Sequence, residues 1–281
     1  ISTRMLILTT VILFAVLSCK KKDQLLFKNS DLDIEKRVDD LLSRMTIEEK
    51  FGQLLMVPAD FSDGMEQYKD GIFGFQFHTG SLSGSQQILD YKEGSRAKQT
   101  AILVNEVQEY FVEQTRLGIP IIPFDEALHG LVRKGATAYP QAIALAATWN
   151  TTLMKDVAHA IAMETKSRGI RQILSPVLNI ARDVRWGRTE ETYGEDPFLT
   201  TQMGLSFIRE FEKLGVITTP KHFVANVGDG GRDSYPIHFN ERLLEEVYFP
   251  AFKAAFQNAN AWSVMTSYNS IDGRQSSAND W

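Results

Sequence analysis

Apolar residues recur at a helical period at Ile34, Val38, Leu41 and Leu42, which predicts a helix over residues 31–44. Thr46 stands ahead of Glu48 and Glu49, a capping hydroxyl before acidic first-turn residues, so a second short helix follows. The pattern then alternates. Continuous apolar runs at 51–57, 71–78, 119–124, 172–180, 216–223 and 262–269 predict six strands. Amphipathic stretches at 97–117, 151–168, 197–214 and 241–256 predict helices between them. The first carries its stripe on Leu103, Val104, Val107, Tyr110 and Phe111. The second sets Met154, Val157, Ala158 and Ile161 on one face, behind Asn150 as N-cap.

Repeated βα units imply a parallel sheet covered by helices. An open doubly wound sheet and a (β/α)₈ TIM-like barrel both accommodate six strands at this spacing. In a barrel, polar residues for chemistry gather at the C-terminal ends of the strands. They do so here: Asp125-Glu126 with His129 behind, Arg182-Asp183 followed by Arg185, Arg188, Glu190 and Glu191, then Lys221-His222, then Ser267-Tyr268-Asn269. One charged residue at a helix start is ordinary capping. Acid, arginine and a Lys-His pair on three consecutive strand ends describe one pocket. The expected fold is α/β, an incomplete (β/α)₈ barrel with about six βα units.

The 281 residues hold 30 Lys plus Arg against 35 Asp plus Glu, a net charge of −5, which argues against a nucleic-acid partner. There is one cysteine, so neither an internal disulfide nor a cysteine metal cluster is available. Cys19 follows the apolar run 5–17, which has Arg4 ahead of it and Lys20, Lys21 and Lys22 after it. The run is too short to span a bilayer and has the length of a signal-peptide core. Ser18-Cys19 at its end resembles the lipobox of bacterial lipoproteins, which implies lipidation of Cys19 and a membrane-anchored protein in the periplasm or on the cell surface. The expected organisation is a leader at 1–19, a tether at 20–30 and the barrel domain at 31–281, read as a piece of a longer protein.

HExxH, CxxC, GxGxxG, P-loop and GxSxG patterns are all missing from the sequence, so no metal or cofactor is expected. Asp229 and Asp233 in GDGGRD lack the EF-hand ligand series and read as a turn. What remains is carboxylate, guanidinium, ammonium and imidazole near Trp186, Tyr193 and Tyr268. Such a pocket gives charge-assisted hydrogen bonds to several hydroxyls, with aromatic faces for C–H surfaces, and so suits a sugar.

Glu126-Ala-Leu-His-Gly130, the block RDVRWGRTEETYGEDP from Arg182 to Pro197, Lys221-His222-Phe223, and the later VMTSYN and SAN segments closely resemble glycoside hydrolase family 3. The likeness runs from about Asp31 to the last residue. The resemblance implies a (β/α)₈-like domain and a retaining hydrolysis of β-linked glucosides or related sugars. It also implies sugar contacts from Glu126, Arg182, Lys221 and His222, and Tyr268 joins them as a substrate-binding candidate. The family's nucleophile is the Asp of a Ser-Asp-Trp motif. Asp280-Trp281 follows Asn279 instead and matches an earlier segment, so nucleophile and acid/base are expected beyond Trp281. The alternative is a carbohydrate-binding lipoprotein without catalysis. An N-acetylglucosaminidase would carry KHFPGHG and Asp-Ser-His; Lys221 to Asn226 reads KHFVAN and the later triplet is Asp233-Ser234-Tyr235, which disfavours it.

Neighbouring residues read more plainly. Arg185 and Arg188 are expected to pair with acids such as Glu190, Glu191 or Glu195, His129 to satisfy backbone groups, and Trp186 to pack beneath its loop. Successive strand residues point to opposite faces, so Lys221 and His222 can share one ligand only if the strand bends or carries an unusual peptide.

Overall fold

A computed structural model describes residues 25–77, 97–133, 135–228, 233 and 235–280. The leader, Cys19 and Asp229 lie outside the described residues. The chain divides into two compact units, one ending at Phe51 and the other beginning at Gly52.

In the first unit, helix α1 (Ile34–Arg44) starts at Asp33, whose side chain accepts from Glu35 N. Residues Leu26–Lys28, within the stretch read as a tether, form a 3₁₀ turn held to α1. Asp40 accepts from Phe27 N at 3.0 Å and Arg37 Nε donates to Phe27 O at 3.0 Å. Thr46 and Glu49 form a reciprocal capping box at 2.8 and 3.2 Å, which starts α2 (Ile47–Gly52). That helix takes Phe51, so the strand expected at 51–57 shortens to β1 (Met56–Pro58).

The second unit carries a five-stranded parallel sheet in the order β1, β2 (Gly74–Gln76), β3 (Ile122–Asp125), β4 (Gln172–Ile173), β5 (Ile217–Thr218). Spatial order equals chain order. A doubly wound sheet reverses its order at a switch point; this one does not, and follows the sequence of barrel staves. β6 (Lys221–Phe223) extends the series, bridging Val177 and pairing in parallel with β7 (Met265–Thr266). The expected strands 172–180, 216–223 and 262–269 are therefore much shorter in the fold. Pro220, which supplies no N–H, lies between β5 and β6, and β4 stops at Ile173. The ladder resumes through Lys221 N to Pro176 O at 2.9 Å and Leu178 N to Lys221 O at 2.8 Å.

Helices follow the strands as the barrel requires. α3 (Ala97–Glu109) closes in a π turn, Tyr110–Gln114. α5 (Thr151–Ser167), preceded by the short α4 (Ala142–Ala146), is capped by Asn150. α6 (Pro197–Lys213) is capped by Asp196 with Pro197 in its first turn. α7 (Glu241–Leu243) passes through a π turn, Leu244–Tyr248, into α8 (Phe249–Ala259). α5, α6 and α8 pack side by side on a core of Met154, Ile161, Ile173, Leu178, Phe211 and Phe252. Gly74 lets two strands close up: a Cβ there would lie 2.2 Å from Ile122 O. A hairpin, β8 (Ser270–Ile271) and β9 (Arg274–Gln275), was not anticipated; Asp272 and Gly273 form its turn at φ 49° and 81°. No helix among the described residues is long and apolar enough to cross a membrane.

Candidate functional site

Glu126 leaves the end of β3, and Lys221 opens β6, 95 residues later. Their side chains meet: Lys221 Nζ donates to both carboxylate oxygens of Glu126, at 2.8 and 2.9 Å. Lys221 is buried, while a quarter of the Glu126 side chain faces solvent at 25% exposure. Burial pushes the Glu126 pKa up. Lys221 opposes that shift, and the nearby negative charges of Asp125 and Glu191 add to it.

His222 is fully buried beside Lys221. Asn179 clasps it from the segment after β4: Oδ1 accepts from His222 N at 2.9 Å and faces Nδ1 at 3.1 Å, and Nδ2 donates to His222 O at 2.9 Å. With Oδ1 as acceptor, the network assigns a proton to Nδ1. The His222 and Tyr268 rings lie 5.5 Å apart, and half of Tyr268 is exposed. The peptide Lys221-His222 is cis, as is Phe223-Val224, and the β6–β7 register shifts between Lys221 and Phe223. A bend or an unusual peptide was the condition for Lys221 and His222 to share one ligand, and the backbone here is irregular in that way.

Arg182 is solvent-exposed and hydrogen-bonds Tyr248, a buried residue at the end of the second π turn. Arg188 is buried and pairs with Glu191 through two contacts, 2.8 and 2.7 Å, with Asp233 3.4 Å away. That matches the expected structural role for Arg188. Arg185 likewise pairs with an acid, Asp183 at 2.6 Å, two residues back on the same turn. That hydrogen bonding holds Asp183 down at about 2. His129 Nδ1 contacts Tyr139 O at 2.8 Å, and Trp186 is buried, both as expected. Asn179, Arg133 and Tyr248 are parts of the site that the sequence alone did not mark, and Asp125, read only as a strand-end acid, is wholly buried. Among the described residues no cluster of three His, Cys, Asp or Glu is placed to hold a metal ion.

The model of the glycosyl hydrolase family 3 N-terminal domain matches residues 46–281. The chain belongs to glycosyl hydrolase family 3. A family 3 relative, a β-xylosidase of Formosa agariphila, is 35% identical over 75% of this chain and 32% of its own length. A periplasmic β-glucosidase of Salmonella typhimurium is 28% identical over 91% of this chain and 32% of its own. The chain thus spans about a third of the length of these curated relatives. Among solved structures, a β-glucosidase of Erythrobacter marinus superposes with a TM-score of 0.76 at 29% identity, covering 89% of this chain and 34% of that one. A β-glucosidase mutant of Listeria innocua in complex with laminaribiose gives 0.68 at 27% identity, covering 89% and 35%. These family 3 likenesses agree with the parallel, sequentially ordered sheet: the fold is that of the family's TIM-barrel domain.

Proposed function

We propose that the chain supplies the sugar-binding face of a retaining glycosidase that removes β-linked glucosyl or related residues. Glu126, Arg182, Lys221, His222 and Tyr268 would contact the sugar. The observation that carries this is the Glu126–Lys221 pair joined across two strand ends, with His222 and Tyr268 beside it. An acceptor and a donor held at fixed separation suit vicinal hydroxyls, and the exposed Tyr268 ring suits a C–H face. The names of the relatives, β-xylosidase and β-glucosidase, support the reaction class. Retention needs two carboxyl groups about 5–5.5 Å apart. Glu126 is committed to Lys221, so on this reading the nucleophile and acid/base are carboxylates other than Glu126.

The test uses the protein as its gene encodes it, on aryl β-glucosides and β-xylosides. Lys221→Ala and Arg182→Ala should each lower kcat/KM by about 2–4 kcal/mol equivalent, since each removes a charge-assisted contact. Unchanged kinetics in both, or no turnover in the parent, would defeat the proposal; sugar binding without turnover would favour a non-catalytic carbohydrate-binding lipoprotein. We also propose that Cys19 carries a lipid anchor that holds the protein to a bacterial membrane. Labelled fatty acid should enter the parent and not Cys19→Ala.

A further inference from the structure

Glu126 is held by more than its lysine. Its backbone N–H donates to Asp125 Oδ1 at 2.9 Å, its carbonyl accepts from Val132 N at 3.0 Å, and the next N–H, of Ala127, donates to Ser175 Oγ at 3.2 Å. Both peptide groups around Glu126 are thereby fixed, and only its rotamers remain to be chosen.

One side chain ties these elements together. Asp125 lies at the end of β3 with no exposed surface. Its Oδ1 also takes Gln76 Nε2 from β2 at 3.3 Å, and its Oδ2 meets Arg133 Nε at 2.6 Å. Arg133 is 5% exposed and sits where the loop leaving Glu126 returns, one residue after the N–H that caps the Glu126 carbonyl. A buried ion pair adds little net stability over an apolar pair of equal volume, because desolvation offsets the attraction. This one closes the turn that presents Glu126, and it joins two strands and the loop at one carboxylate.

We propose that Asp125 and Arg133 are a positioning pair for substrate binding: they hold the 125–133 turn so that the Glu126 carboxylate stands on Lys221 in the geometry that receives sugar hydroxyls. This rests on the proposed sugar subsite. Burial pushes the Asp125 pKa up, and the Arg133 charge is the largest effect opposing it.

The decisive variant is Asp125→Asn/Arg133→Met. Removing both charges leaves neither ion unpaired, so the protein should melt close to the parent. On the proposed subsite Glu126 binds hydroxyls rather than the reacting bond, so its displacement should raise KM by about tenfold and leave kcat within about threefold. A crystal structure of the variant should show the Glu126 carboxylate beyond hydrogen-bond distance of Lys221 Nζ. A parental KM with the Glu126–Lys221 contacts intact would overturn the proposal and leave the pair a purely structural one. Should the double variant fail to fold, Asp125→Asn and Arg133→Lys carry the same comparison, and a parental KM in both overturns it. If the parent turns over no glycoside, the functional reading fails, and the Glu126–Lys221 distance in the variant crystal still decides the positioning claim.

Discussion

Replacing Lys221 by methionine tests the charge balance of the site directly. Lys221 Nζ makes both contacts to the Glu126 carboxylate, and Asp125 and Glu191 already press on that carboxylate with like charge. Lys221→Met keeps an unbranched apolar stem of similar length and removes only the ammonium. Breaking a fully buried pair costs about 3–5 kcal/mol. Glu126 keeps 25% side-chain exposure, so water relieves part of that and about 2–3 kcal/mol is expected at high pH. At about 2–4 °C per kcal/mol for a domain of this size, Tm should fall by roughly 4–12 °C. The loss should depend on pH in a definite sense. The folded-state pKa of Glu126 is raised above its ordinary 4.5, and losing Lys221 raises it further. A carboxyl whose folded pKa exceeds its unfolded value destabilises the fold above the folded pKa, and the penalty disappears as pH falls toward the unfolded value. Calorimetry at about pH 8 should therefore show the full Tm deficit, and at about pH 5 a much smaller one. Adding Glu126→Gln to Lys221→Met should restore the high-pH Tm. A deficit of equal size at both pH values, or no rescue by Glu126→Gln, would refute the pairing.

Two further outcomes follow from local geometry. Gly74→Ala would put a Cβ 2.2 Å from Ile122 O and 3.2 Å from its carbonyl carbon; backbone cannot step aside without opening the β2–β3 ladder, so the unfolding free energy should fall by about 3 kcal/mol or more, and a parental urea midpoint would contradict this. Asp183, held at about 2 by Arg185, should titrate by NMR near that value and return toward 3.8 in Arg185→Ala; the stability it lends is present above 3.8 and lost as pH falls toward 2, so that part of the acid sensitivity should vanish in the variant.

The elements that were legible in the sequence are those whose signal is local. The stripe of Met154, Val157, Ala158 and Ile161 forms one buried face of α5, and the caps Asn150 and Thr46 stand where they were read. Strand extents were overstated, because apolar runs continue beyond the few residues that form regular strands, with Pro220, which has no N–H, between β5 and β6. The β8–β9 hairpin has no long apolar run to mark it, only the Asp272-Gly273 turn pair between its two-residue strands. At the site, polar residues at barrel strand ends pointed to Glu126, Lys221 and His222. The groups that hold them were hidden for a different reason. Asn179 reaches His222 across 43 residues, and nothing in VLN distinguishes a clasp from a strand end. Arg133 looks like an ordinary surface charge, and Asp125 like one more strand-end acid beside Glu126, until the fold buries both.

The π turn at Leu244–Tyr248 joins two helical segments whose registers are set independently, the first by the Asn240 cap and the second by Ala251, Phe252, Ala255 and Ala259 in the core. With 3.6 residues per α-helical turn, one residue more or fewer rotates everything beyond it by about 100°. Removing a residue between 244 and 248 would leave a perfectly good α-helix, and would still swing Tyr248 away from Arg182 or pull the second segment off its core face. Propensity alone would not register the damage. This stretch should therefore accept exchanges of side chain far more readily than changes of length, and gaps in comparisons with related chains should fall on either side of it.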